Sequence, residues 1–278
     1  MELQEVMEKF RAEYRFHLAE NSMKEYLATV RLMVERVGVP LEQIHGKEIR
    51  TWMRLLEEDG YQLSSIRRFL FQLNLFFQFC VEIGVVTQHP LRSIRFPGEK
   101  ISIPYYLRPS QMNQLRKHVQ GNPQERAVVE LLYATGARLA ELVAMNREDI
   151  QWSERTIHIP SGKGQRGRMV LFTRQCEEYL KAYLSLRRDD LPCVIANPRQ
   201  RARISRRTIQ SWFSRYKEEL GFHMSPHVMR HTLAAHLAMK GMPIAGIKEI
   251  LGHDNIRHTQ LYARLYSEAR KEQYDEWM

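Results

Sequence analysis

The chain has 278 residues, 44% of them hydrophobic, enough to bury the core of one large domain or two ordinary ones and too apolar for wholesale disorder. Its 42 Lys and Arg against 32 Asp and Glu leave a net charge of +10, which suits a polyanionic partner because each cation that neutralises a phosphate releases condensed counterions. The N-terminus is charged from its second residue and no apolar run approaches the roughly 18 residues that span a bilayer, so neither a secretory leader nor a membrane role is expected.

Residues 1–95 read as a helical bundle. After a first helix over 3–19, Ser22 with Glu25 forms a capping-box pattern ahead of Leu27, Val30, Val34 and Val37 at helical spacing, and Gly38 with Pro40 ends that run. A further helix covers Lys47 to Glu58. A fourth starts at Ser64 and carries Ile66, Phe69, Leu73, Phe76, Phe77 and Cys80 on one side, a stripe read as core packing. Residues 96–106, with two prolines and a glycine, break periodicity and form the expected linker. Residues 107–278 form the second domain. A helical region is expected from Ser110 to Asn146, interrupted near Gly136. The short runs Thr156–Ile159 and Met169–Phe172 then flank a Gly-rich turn as a β-hairpin, and the remainder reads as helical with Gly221, Pro226, Pro243 and Gly252 as punctuation. The cysteines Cys80, Cys176 and Cys193 are too scattered for metal ligation and read as reduced thiols of a cytoplasmic protein.

Pro226 suits a helix start, and a spacing of three puts His227 and Arg230 on one helix face, a corner able to hold a phosphate. Arg138 and Glu141 follow a helix break at Gly136. Lys163 lies in the hairpin turn, His253 closes one helix and Tyr262 opens another. Each has an ordinary structural explanation by itself. Their ordered set does not: Arg138, Lys163, His227-x-x-Arg230, Leu-Gly-His253 and Tyr262, embedded in ATGARLAEL, SGKGQRGR, SPHVMRHTLAAHL and LGHDNIRHTQLYARL, resembles the tyrosine recombinase (integrase) family, and most closely its Xer-like bacterial members.

That resemblance implies a mainly α fold: a four-helix, SAM-like core-binding domain and an α-rich catalytic domain with a small β-hairpin, closing as a C-shaped clamp around DNA. It implies that Tyr262 attacks a phosphodiester to form a 3′-phosphotyrosyl bond, conserving bond energy so that no metal, ATP or other cofactor is required. Arg138 and Arg230 would hold the non-bridging oxygens, which suits guanidinium forks whose charge does not titrate away. His227 would serve as base or in an electrostatic role, Lys163 would protonate the 5′-oxygen and His253 would bond the transition-state phosphate, with Glu141 in support. His231 and His236 are expected to pack or to support the site from behind rather than to act in it directly, and His258 to lie on the surface. Arg166 stands where the family often has lysine, Leu171 where it often has proline, and Ala140 where a small polar residue is common.

The stretch 198–217 holds Arg199, Arg201, Arg203, Arg206, Arg207, Arg215 and Lys217 without an acid, and a helix from about Ser205 is expected to enter the major groove. Arg203, Arg206 and Arg207 there, Arg166 and Arg168 on the hairpin, and Arg67 and Arg68 in the first domain are the expected DNA contacts. The last sixteen residues, with Tyr266, Tyr274 and Trp277, form the tail through which the family couples subunits into a tetramer on two sites. The expected partner is double-stranded DNA carrying a short inverted-repeat core site. A type IB topoisomerase and a non-catalytic DNA-binding protein on the same fold are the alternatives. No arm-binding domain is expected ahead of the first bundle, which favours a simple recombinase over phage integrases that bridge distant arm sites.

Overall fold

Helical periodicity in the first hundred residues is converted into four helices, α1 (Leu3–Tyr14), α2 (Glu20–Val37), α3 (Gly46–Glu58) and α4 (Leu63–Glu82). The computed structural model describes residues 2–98, 102–160, 167–197, 199–253 and 255–277, and it divides into two units, 1–100 and 101–278. In the first unit α4 supplies the axis of the core. Its Leu70, Leu73, Phe76 and Phe77 are fully buried against Phe10 of α1, Val30 and Met33 of α2, and Ile49 and Trp52 of α3. Phe10 meets Phe76 edge-on at 5.3 Å, the geometry ring quadrupoles favour. Two helix starts and ends differ from expectation. Helix α1 stops at Tyr14, and the following turn, closed by Leu18 N–H on the Tyr14 carbonyl, folds Leu18 back on the core. Helix α2 begins at Glu20, so Ser22 lies inside it rather than capping it. Extended Ala19 takes the cap position, and Glu20 pairs with Lys24 one turn on.

The second unit contains α5 (Pro109–His118), α6 (Pro123–Thr135), α7 (Leu139–Ala144), β1 (Ile150–Gln151), β2 (Thr156–Ile159), β3 (Arg168–Leu171), α8 (Arg174–Ser185), β4 (Ala196–Asn197), β5 (Ala202–Arg203), α9 (Arg206–Leu220), α10 (Pro226–Met239), α11 (Ile244–Leu251), α12 (Arg257–Gln260) and α13 (Ala263–Trp277). The expected run from Ser110 to Asn146 is three helices. Asn122 opens the second, accepting hydrogen bonds from the Gln124 and Glu125 amides with Pro123 in the first turn. Gly136 ends it at φ +60°, and a Cβ there would sit 2.8 Å from Leu233 and Leu251, so only glycine lets α10 and α11 approach this turn.

Helix α6 is buried nearly all round and packs between α8 and α10. The antiparallel sheet β1-β2-β3 has Ile157 opposite Val170 and Thr156 opposite Leu171. Ile157, Ile159 and Val170 face the core while His158, Met169 and Leu171 face outward. Strands β1, β4 and β5, two residues each, were not expected, since so short a segment shows no alternation. Among the described residues no helix is long and apolar enough to cross a membrane.

Candidate active site

The start of α10 organises the site. The Ser225 hydroxyl caps the Val228 amide at 3.2 Å and Pro226 occupies the first turn. His227 then points to solvent, while Arg230, one turn on, is only 3% exposed. Arg230 donates Nη1 to the Gly136 carbonyl and Nη2 to the Leu251 carbonyl, each at 2.6 Å. Both carbonyls lie at helix C-termini, of α6 and α11, where unpaired C=O groups and the helix dipole favour a cation. Among the described residues no carboxylate pairs with this guanidinium. Burial, then the like charges of Arg138 and Arg168, lower its pKa to about 10. A buried cation held by carbonyls alone attracts an anion.

Arg138 caps α7 and approaches from the other side. Its amide and Nη1 bond the Glu141 carboxylate at 2.7 and 2.8 Å, and Nη2 reaches the Gly252 carbonyl at 3.3 Å. Glu141 also receives both Nη atoms of Arg168 at 2.9 Å. Burial opposes ionisation of Glu141, but the bonds from Arg168 and Arg138 outweigh it and hold its pKa at about 2. A Cβ at Gly252, φ +62°, would lie 2.6 Å from Arg168 Cδ, so glycine there lets Arg168 cross the end of α11. Arg168 is thus occupied orienting Glu141. Arg168, an expected DNA contact, gives both its Nη atoms to one carboxylate in the free protein.

Tyr262 sits between α12 and α13, 1% exposed, with its hydroxyl 2.5 Å from His231 Nδ1. His231 stacks edge-on against His227, ring centroids 4.3 Å apart. His253 Nδ1 is 2.9 Å from the hydroxyl of fully buried Thr259, which fixes the ring and leaves Nε2 for the site. Burial raises the Tyr262 pKa, partly offset by Arg230. Burial, then the charges of Arg230, His258 and Arg138, lower His253 to about 3. Burial, His227 and Arg230 lower His231 to about 4. At neutral pH these two rings and the phenol are uncharged.

His231 stands nearer the tyrosine than sequence reasoning indicated. It was expected to pack or to support the site; it contacts the tyrosine hydroxyl, whereas His227 lies at the exposed edge. A spacing of four forecasts the His227–His231 stacking; nothing local forecasts a contact to a residue 31 positions on. Thr259 was overlooked as well. His236 packs, facing the Tyr133 hydroxyl and the Leu107 carbonyl, and His258 is exposed.

Beside Arg138, His227 and Arg230 opens a cavity of about 590 Å³ whose far wall is α9, through Gln210, Ser214 and Lys217. The Ser205 hydroxyl caps α9 at the Thr208 amide, and Arg206 and Arg207 are exposed in its first turn. Arg203 is another expected DNA contact. Its guanidinium donates to the Val143 and Met145 carbonyls and to Asn146 Oδ1, so it ties β5 to the end of α7. In the first unit Arg67 donates to the Pro97 carbonyl at 2.8 Å and lies over Phe71, while exposed Arg68 lies over Phe69. Lys163 and Arg166 lie outside the described residues. In α13, Leu265 and Ala269 are buried and Tyr274 is exposed, and the Trp277 side chain lies outside the described ones.

Two guanidiniums and the His227 imidazole on an open cleft, with a buried tyrosine hydroxyl and the His231 and His253 rings close to Arg230, are the parts that phosphoryl transfer by positioning and charge stabilisation needs. Similarity to known proteins points the same way. The profile of the phage integrase family matches residues 105–269. Tyrosine recombinase XerC of Vibrio parahaemolyticus is 30% identical over 273 residues, covering 94% of this chain and 81% of its own. The crystal structure of XerA recombinase aligns over 99% of this chain and 97% of its own at 25% identity, with a TM-score of 0.56. A lambda integrase tetramer bound to a Holliday junction shares the fold at 19% identity and a TM-score of 0.74, over 91% of this chain and 77% of its own. This chain belongs to the phage integrase family, the tyrosine recombinases. It is an enzyme that cleaves and rejoins DNA in site-specific recombination.

Proposed function

We propose that the chain cuts each DNA strand by attack of Tyr262 on a phosphodiester held by Arg138 and Arg230, leaving a 3′-phosphotyrosyl bond that a second strand end reverses. Buried Arg230, bonded to two carbonyls and to no carboxylate among the described residues, carries this reading. Desolvating an uncompensated charge is costly, and the cost is recovered when a phosphate supplies the missing anion. Arg138, oriented by Glu141, grips the same phosphate, and His253 and His227 face it. Lys163 protonates the departing 5′-oxygen. Arg206 and Arg207 lead α9 onto DNA, with Gln210, Ser214 and Lys217 continuing that face to the cleft, and Arg166, Arg67 and Arg68 add further contacts. The core-binding domain is residues 1–95, the linker 96–106 and the catalytic domain 107–278. The substrate is a short inverted-repeat core site in the cytoplasmic nucleoid. Two such sites are joined in a homo- or hetero-tetramer coupled through the tail after Tyr262, a reading supported by the tetrameric state of the lambda integrase on a Holliday junction.

The test is to incubate the protein with fragmented genomic DNA of its source, denature in detergent, and sequence the DNA left attached. Adducts are expected at a short inverted repeat and not with Tyr262→Phe. Adducts scattered without site preference would point to a relaxing enzyme, and adducts surviving in Tyr262→Phe would remove Tyr262 from its role.

A further inference from the structure

Tyr262 Oη has one hydrogen-bond partner among the described residues, His231 Nδ1. Both groups are neutral in the free protein, and in the tautomer that carries the imidazole proton on Nε2 the phenol O–H donates to Nδ1. His227 does not reach the hydroxyl; its ring lies against the flank of His231 and reaches solvent. The proton that must leave the phenol as it becomes a nucleophile therefore has a built acceptor, and that acceptor is not the histidine of the His-x-x-Arg pair.

We propose that His231 is a catalytic residue, the group that takes the Tyr262 proton during strand cleavage and returns it during religation. The proposal rests on Tyr262 being the nucleophile. In cleavage the Oη–H bond breaks and the proton passes to Nδ1. The Oη electron pair forms the bond to phosphorus, the P–O5′ bond breaks, and the 5′-oxygen takes a proton from the acid, Lys163. Religation runs the same steps backwards, with the imidazolium protonating the departing phenolate.

The surroundings make this acceptor conditional on DNA. His231 is faced by His227 and Arg230 on its own helix, by His253 at the end of α11, by Arg138 beyond Arg230, and by Tyr262. All are cations or groups that become cations, apart from Tyr262, so the imidazolium is disfavoured while the site is empty. A phosphate seated on Arg138 and Arg230 brings the negative charge that cancels this repulsion. His231 then becomes a competent base when, and only when, there is a bond to cut, and the free enzyme keeps Tyr262 protonated.

The decisive experiment uses full-length protein and the site recovered from the covalent adducts, synthesised normally and with sulfur replacing the 5′-bridging oxygen of the cut phosphate. A thiolate leaves without being protonated, so defects on the acid side vanish while defects at the nucleophile remain. His231→Ala is expected to cleave both substrates about 100-fold more slowly or worse at pH 7.5. Its rate should rise about tenfold per pH unit as hydroxide takes over, against a flatter wild-type profile. Lys163→Ala should recover on the sulfur substrate. His231→Asn presents an acceptor near the Nδ1 position but cannot take the proton, so it should stay as slow as the alanine variant; it preserves the packing, and rates are normalised to DNA-retaining protein. Wild-type rates in His231→Asn would reduce His231 to a positioning role and overturn the proposal, as would His231→Ala within threefold of wild type. Adducts persisting in Tyr262→Phe would instead overturn the nucleophile assignment.

Discussion

Two arginine clusters meet α6, one at Glu130 along its length and one at Gly136 at its C-terminal end, and they are built to opposite specifications. On the α5 side, Glu130 is completely buried and receives Arg116 through Nε and Nη2 at 2.9 and 2.8 Å and Arg126 through Nη2 at 2.8 Å. Arg126 also donates to the Arg116 carbonyl and lies over the Tyr179 ring at 3.9 Å. Here charge is answered by charge, and the cluster clamps α5 to α6. At the end of α6, Arg230 is deeply buried but has helix-end carbonyls for partners, and the one nearby carboxylate among the described residues, Glu141, is already taken by Arg138 and Arg168. A paired buried cation holds a fold together; a buried cation short of an anion marks where a ligand's charge belongs.

The sharpest way to break this contrast is to remove one charge from each side. Arg230→Met should lower strand cleavage by about 10³-fold, in line with losing a preorganised donor to the transition state. Its stability should fall by no more than about 2 kcal/mol, the price of two unanswered carbonyls less the relief of desolvation. Glu130→Gln should do the reverse, costing about 3–5 kcal/mol because buried Arg126 and half-buried Arg116 lose their anion, while each folded molecule still cleaves. Paired measurements of denaturant unfolding and adduct yield check both. Equal profiles from the two variants would erase the distinction.

Acid should sharpen it further. His231 and His253 are held at about 4 and about 3, below the ordinary value near 6.5. The unfolded chain therefore binds more protons than the fold as pH drops below about 6.5, and stability present above that pH is lost on the way down. Glu141, held at about 2, adds a loss of the same sign below about 4.5. The melting temperature is expected to fall steadily from pH 7 to pH 4, and His253→Gln should flatten the upper half of that fall. The smallest effect separates arginines on the DNA face from those facing inward. Arg206→Ala should weaken DNA binding and reduce the salt slope by about 1. Arg203→Ala should leave the slope unchanged and instead lower stability, since three hydrogen bonds to the α7 end are lost.

What local pattern carried was substantial. The four-helix first unit, the helix starts near Ser205 and at Pro226, the hairpin strands and the stops at Gly38, Gly136 and Gly252 all follow from periodicity and turn chemistry, which act over a few residues. The ordered residues of the site were legible through resemblance to the tyrosine recombinases, because the local strings around Arg138, His227, Arg230, His253 and Tyr262 are long enough to be distinctive. Partner choice was not legible. Arg203 reaches residues 57 to 60 positions away, Arg168 reaches Glu141 across 27, and His231 meets Tyr262 across 31. A flexible, fully charged side chain looks the same in sequence whether it faces solvent, a phosphate or a carbonyl. Only packing of α6, α10 and α11 into one corner decides which it meets, because that packing sets what has been removed from water and what remains to answer the charge.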